Sequence, residues 1–147
     1  MNNLPHAQKI PQSEPEWFQT LVNLARFLRS PEGCPWDRKQ TSHSFAKYAQ
    51  EEAGELVEAC EQDDNAEIEE EWGDALFTLL ACAAAAEAEG RFRVLGALEK
   101  AHAKMIRRHG HIFGEHTAET PEEVREVWAR IKEQERREKN GDGGDSG

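Results

Sequence analysis

EEAGELVEACEQDDNAEIEEEWGDALFTLLACAAAAEAEG, running from Glu51 to Gly90, decides the fold of this chain. Read at the 3.6-residue period it spans the second half of one helix and the whole of the next. The first starts at Ser42 or Ser44 and ends at Gln62, with Phe45, Ala49, Ala53, Leu56 and Cys60 as its apolar stripe. Asp63-Asp64 break it. Asp64-Asn65-Ala66-Glu67 then has the form of a capping box with Asp64 as N-cap. The helix it opens extends to about Glu89 and is stopped by Gly90, with Ile68, Trp72, Ala75, Leu79, Cys82 and Ala86 along one side.

Acids stand at i, i+3 spacing on both helices: Glu52 and Glu55 on the first, Glu71 and Asp74 on the second. Residues three apart share a helical face. At about 100° per residue, Glu52 lies about 40° from Leu56, inside the apolar arc, while Glu55 and Glu51 lie progressively further out. On the second helix Glu71 sits about 60° and Asp74 about 120° from Ile68. A carboxylate on an apolar face costs several kcal/mol unless it is paired or bound to metal. A solvated acidic surface accounts for Glu58, Glu61, Glu67, Glu69 and Glu70, but not for Glu52 or Glu71. Lys47 is the only Lys or Arg between Gln40 and Arg91. Converging carboxylates without cationic partners are the donor set of Mg²⁺ or Mn²⁺, and Mg²⁺ so held points to a phosphate substrate.

Outward from this pair, Pro15 to Ser30 reads as a helix carrying Trp17, Leu21, Leu24, Ala25 and Leu28, and Pro31 to Asp37 reads as a loop. Val94 to His109 forms another helix with Gly110 as its stop. Thr120-Pro121-Glu122-Glu123 is a second capping box, opening a last helix through about Lys139. The expected organisation is a loose arm over residues 1–13, one all-α helical domain of about five helices over 14–139, and a disordered Gly/Asp/Ser tail over 140–147.

Composition narrows the function classes. The net charge of −11 opposes general nucleic-acid binding and an anionic membrane surface. No apolar run is long enough for a transmembrane helix, and the polar N-terminus lacks the core of a signal peptide. Three cysteines without CxxC pairing suggest reduced thiols and a cytoplasmic location. Cys60 and Cys82 are read as small core residues. Cys34 and His43 are two ligands short of a structural zinc site.

Several motifs together resemble the MazG-type nucleoside triphosphate pyrophosphohydrolases. The family's EExxE and ExxD stand here as Glu51-Glu52-x-x-Glu55 and Glu71-x-x-Asp74. Its GCPWDxxQT loop is similar to Gly33-Cys34-Pro35-Trp36-Asp37-Arg38-Lys39-Gln40-Thr41. Its EGRF and RRHxHVF segments are similar to Glu89-Gly90-Arg91-Phe92 and Arg107-Arg108-His109-Gly110-His111-Ile112-Phe113. The likeness runs from about residue 17 to residue 137. It implies an all-α bundle, a homodimer or homotetramer, and Mg²⁺-dependent cleavage of nucleoside triphosphates between the α and β phosphates. Glu52, Glu55, Glu71 and Asp74 would then ligate the metal, and Glu51 would ligate a second ion or position the attacking water.

Lys104 and Arg108 match a basic pair that meets the triphosphate, with Arg107 beside them. Being four apart, Lys104 and Arg108 share a face, although cations there also suit the helix dipole. His109 and His111 could contact phosphate or cap the helix. Trp36 could stack on a base or pack over the core, and Asp37 could cap the following turn. Many relatives carry two such domains in tandem; this chain carries one and is most similar to the first copy. Gly54 replaces an aromatic residue and suggests a close helix approach. Ala83–Ala86 suggests a tight helix contact, one that two subunits could share. The competing readings are a narrow dUTP, dCTP or phosphoribosyl-ATP pyrophosphohydrolase, or a non-catalytic assembly protein that keeps the acids.

Overall fold

The computed structural model describes residues 9–142, all of whose regular structure is helical. Residues 1–8 and 143–147, which hold most of the expected arm and tail, lie outside it. The helices are α1 (Glu14–Leu28), α2 (Pro35–Lys39), α3 (Ser42–Gln62), α4 (Asn65–Ala88), α5 (Val94–Arg108), α6 (Gly110–Phe113) and α7 (Pro121–Asp142). Five are long, as the sequence predicts, and two are short additions. They fall into two compact units, Met1–Val94 and Leu95–Gly147.

In the first unit α1 opens on Ser13, whose hydroxyl accepts the Glu16 N–H, with Pro15 in the first turn. The expected loop after Pro31 contains α2 instead. Pro35 takes the first helical position, where its missing N–H costs nothing. Arg29 then donates to the Asp37 and Gln40 carbonyls at 2.6 and 3.0 Å, satisfying groups at the end of the turn. The entry to this turn admits no side chain at Gly33, because an added Cβ would lie 2.3 Å from the Phe27 carbonyl oxygen and 2.4 Å from that of Leu28.

Thr41 and Ser44 form a reciprocal capping box at the start of α3, each side chain accepting the other's backbone N–H. At the other end Asp63 adopts a left-handed conformation (φ 56°), turning the chain, and Asp64 caps α4 by accepting from Ala66 and Glu67. The predicted N-cap is therefore present, without a return bond from Glu67 among the hydrogen bonds observed. So short a connection makes α3 and α4 an antiparallel hairpin. Its open end is closed by Glu89, whose carboxylate accepts the Ser42 N–H at 2.8 Å and the Ser42 hydroxyl at 2.7 Å. These bonds, with Arg91 beside them, hold the Glu89 carboxyl down at about 2.

Two faces of α4 are covered. Leu80 and Ala84 meet Val22 and Ala25 of α1, with Phe18, Leu21, Leu76 and Phe77 around them. Ala81 and Ala85 meet Phe45 of α3, with Cys82 against them. Arg26 and Glu87 join α1 to α4 through two bonds of 3.2 Å. The alanine run thus makes its tight contacts within the chain, against α1 and α3. The stripe read from sequence needs correction: Trp72 is 59% and Leu79 56% exposed. From Ala75 to Ala86 the helix is apolar nearly all round, so periodicity alone does not single out the buried faces. Cys60 is likewise exposed, and its neighbour Ala59 is buried instead. Gly54 makes no close approach within the chain, since an added Cβ would meet nothing within 4 Å.

In the second unit α5 has no buried residue, and Leu95, Leu98, Met105 and Ile106 are exposed. α5 ends at Arg108, and Gly110, expected as its stop, instead begins α6; it is buried, and a Cβ there would lie 2.7 Å from His116 Cδ2. Thr120 Oγ1 accepts the Glu123 N–H at the start of α7, while the Glu123 carboxylate reaches back to the N–H of Glu119. That is one residue earlier than the N-cap position predicted for the capping box. Val127 and Ile131 are the buried residues of α7, which continues past Lys139 to Asp142.

Candidate metal centre

The α3–α4 hairpin sets the register of the acids. Glu55 and Glu71 lie eight residues either side of Asp63, and Glu52 and Asp74 eleven either side. Equal spacing from the turn puts each pair at one level, because both helices rise at the same rate. Carboxylate oxygens of Glu52, Glu55 and Glu71 come within 4.8 Å of one another. Glu52 and Glu71 are half-buried, whereas Glu51, Glu55 and Asp74 are exposed, as are Glu58, Glu61 and Glu70.

One oxygen on each of Glu52 and Glu71, Oε2 in both, is buried and has no hydrogen-bond partner. Burial pushes the Glu52 carboxyl above the usual carboxylate range, and the neighbouring Glu55 and then Asp74 push it further. Glu71 is raised for the same reasons: burial first, then Glu55, with Asp74 and Glu52 adding to it. Asp74 is not among the three gathered acids, yet its charge acts on both half-buried ones.

This arrangement is unfavourable without a counter-charge. No Lys or Arg makes an ion pair with Glu52, Glu55, Glu71 or Asp74 among the described residues. A hard divalent cation fits it: the donors are all carboxylate oxygens, two of them orphaned, and Mg²⁺ and Mn²⁺ prefer oxygen ligands. Glu52, Glu55 and Glu71 would hold the ion directly.

The other residues singled out from sequence have different surroundings. Trp36 is half exposed and packs on α3, its ring centroid 6.0 Å from that of Phe45 and 5.6 Å from that of Tyr48. This is the packing alternative, with half of the residue's surface still exposed. Asp37 contributes its backbone carbonyl, not a side-chain cap. In the second unit Lys104 is exposed on α5. Arg107 and Arg108 both pair with Glu135 of α7, at 2.7 and 3.2 Å. His109 packs edge-on against Trp128, ring centroids 5.8 Å apart. Sequence reading gives no role to Glu89, which it names only within the EGRF-like segment, and does not single out Arg29 or Glu135. Their partners are distant in sequence or are backbone groups, so spacing carries no signal for them.

Fold and site together define an all-α protein with a cluster of carboxylates on a helical hairpin that could hold a divalent cation. Residues 40–113 match the MazG nucleotide pyrophosphohydrolase domain, and the chain belongs to that family. It is 39% identical over 122 residues to the nucleoside triphosphate pyrophosphohydrolase/pyrophosphatase MazG of Thermotoga maritima, a match covering 83% of this chain and 46% of that protein. To the nucleoside triphosphate pyrophosphohydrolase of Escherichia coli K12 it is 38% identical over 120 residues, 81% of this chain and 46% of the other. The Bacillus subtilis protein YabN is 39% identical over 119 residues, 81% of this chain and 24% of YabN. The chain therefore spans about half the length, or less, of these relatives. The crystal structure of a mazG-related protein from Thermotoga maritima superposes with a TM-score of 0.65 at 29% identity, covering 78% of this chain and 98% of that one. No helix among the described residues is long and apolar enough to cross a membrane.

Proposed function

We propose that this protein is a Mg²⁺-dependent nucleoside triphosphate pyrophosphohydrolase. Water attacks the α-phosphorus, the bond from it to the α–β bridging oxygen breaks, and nucleoside monophosphate and pyrophosphate leave. The observation that carries this reading is the pair of buried, unpartnered oxygens on Glu52 and Glu71. They lie in Glu51-Glu52-x-x-Glu55 and Glu71-x-x-Asp74, the segments that resemble the family's EExxE and ExxD.

When bound, Mg²⁺ would supply positive charge to phosphate oxygens and favour ionisation of water. Glu52, Glu55 and Glu71 would hold it, and Asp74 would complete the acidic set. Glu51, on the exposed side of α3, is assigned to positioning the attacking water. Lys104 and Arg108 are assigned to the triphosphate, where cations stabilise charge on the departing pyrophosphate. Arg107 supports the same anion. Trp36, packed against Phe45 and Tyr48 yet half exposed, is assigned to the base. The exposed apolar residues Trp72, Leu79, Leu95 and Leu98 support a homodimer or homotetramer. A role in clearing unwanted nucleotides from a cytoplasmic pool follows from this chemistry.

The test is incubation with a panel of NTPs and dNTPs plus Mg²⁺, with products identified. Monophosphate and pyrophosphate are expected. Release of orthophosphate as the primary product contradicts the assigned bond. Absence of turnover, with metal binding unchanged by Glu52→Ala, supports a non-catalytic assembly protein instead.

A further inference from the structure

We propose that Glu135 is a positioning residue that holds Arg107 and Arg108 together as one anion-binding fork. This rests on the reading that Arg108 meets the triphosphate. Arg107 and Arg108 are adjacent on α5, so their side chains leave the helix about 100° apart. Their like charges also repel, and nothing local in the sequence joins them. Glu135 of α7 does so. Its Oε1 accepts from Arg107 Nε at 2.7 Å and its Oε2 from Arg108 Nη2 at 3.2 Å. The carboxylate lies between the guanidinium groups, and its own carboxyl is held below the usual range by them.

The bridge uses a small part of the donor capacity. A guanidinium carries five N–H groups, and Glu135 takes one from each arginine. Two cations and one anion leave a net positive charge. Arg108 Nε is buried with no acceptor in the protein, so the donors open to a ligand are the remaining N–H groups of the two guanidinium ends. The group is thus ordered, cationic and rich in free donors, which is the chemistry that grips a pyrophosphate moiety. Glu135 need not touch the substrate; it acts by fixing the arginines that do.

The test is a double-mutant cycle with Glu135→Ala and Arg108→Ala, read by KM and kcat for an NTP and by calorimetric binding of inorganic pyrophosphate, both with Mg²⁺. In the parent background Glu135→Ala is expected to raise KM and weaken pyrophosphate binding about tenfold, with kcat nearly unchanged. In the Arg108→Ala background the same substitution should have little further effect. Glu135→Gln, which keeps the shape and one strong acceptor, should recover part of the affinity and provides the readout if Glu135→Ala does not fold. A full Glu135→Ala effect without Arg108, or a lowered Tm with KM unchanged, would make Glu135 a simple helix tie and overturn the proposal. Turnover of no nucleotide sinks the hydrolase reading alone if the parent binds pyrophosphate and Glu135→Ala does not. If the parent binds no pyrophosphate, the fork falls too.

Discussion

Glu52 on α3 and Glu71 on α4 are half-buried acids whose carboxylates approach within 4.8 Å, each with an oxygen sealed from water and unpartnered. Both carboxyls titrate above the ordinary value of 4.5. Their contribution to folding in the metal-free chain is therefore favourable below about 4.5 and lost as pH rises through their raised folded values. Mg²⁺ needs the ionised forms, so its stabilisation has the opposite pH dependence. At neutral pH, Mg²⁺ at a hundred times its Kd should stabilise the fold by about 2.7 kcal/mol. The Tm difference between Mg²⁺ and chelator should shrink as pH falls through the raised folded values. A difference independent of pH would remove these two carboxylates from the ligand set.

Glu52→Gln and Asp74→Asn each remove negative charge from a repulsive cluster. Activity should fall about a hundredfold or more, while the Tm in chelator stays level or rises. Helical circular dichroism lost in either variant would show that the acids support the fold, contrary to this expectation.

Glu89 ties the end of α4 to the first turn of α3 through Ser42. Its folded value is lowered to about 2, so its stabilisation is complete above about 4.5 and is lost as pH falls through about 2. Glu89→Ala should lower the Tm at neutral pH, and the gap to the parent should close across that acid window. Melting curves at stepped pH check this, and a gap that stays constant down to the lowest pH would place the effect in packing.

Gly33 and Gly54 should respond oppositely to alanine. Gly33→Ala drives a methyl into two backbone carbonyls and should cost about 2 kcal/mol or more. Gly54→Ala enters open space on a helix and should stabilise the isolated chain by about 1 kcal/mol. Denaturant unfolding of both variants measures the pair. A destabilising Gly54→Ala at high protein concentration alone would locate a close helix approach between subunits.

Cys60 is exposed, whereas Cys82 is half-buried, with its thiol pushed up by burial and by the Glu89 charge. Thiol reagents should label Cys60 well before Cys82, as mass spectrometry of the digested protein would show. Simultaneous labelling would mean that α4 opens readily from α3.

The helices were legible because their signals are local. Pro15, Pro121, Asp64 and Gly90 punctuate the chain where the structure begins and ends its long helices, and the acid spacing marked the centre. The short helix at Pro35 is hidden by the Pro and Gly around it, and its C-terminal end is stabilised by Arg29 from outside the segment. Leu79 escapes the periodicity because α4 is apolar around most of its circumference from Ala75 to Ala86; Trp72 precedes that stretch and stands exposed among the acids, and α3 buries Ala59 where a larger-residue stripe suggests Cys60.

By itself the sequence determined the all-α class, the hairpin of α3 and α4, and which acids bear on its buried side, because capping residues and helical period act over a few residues. Only the tertiary structure decided which faces of α4 are covered, that Glu89 closes the hairpin, and that Glu135 bridges two arginines. Those outcomes depend on side chains meeting across tens of residues, where the partner is chosen by packing and charge balance and leaves no periodic trace in the chain.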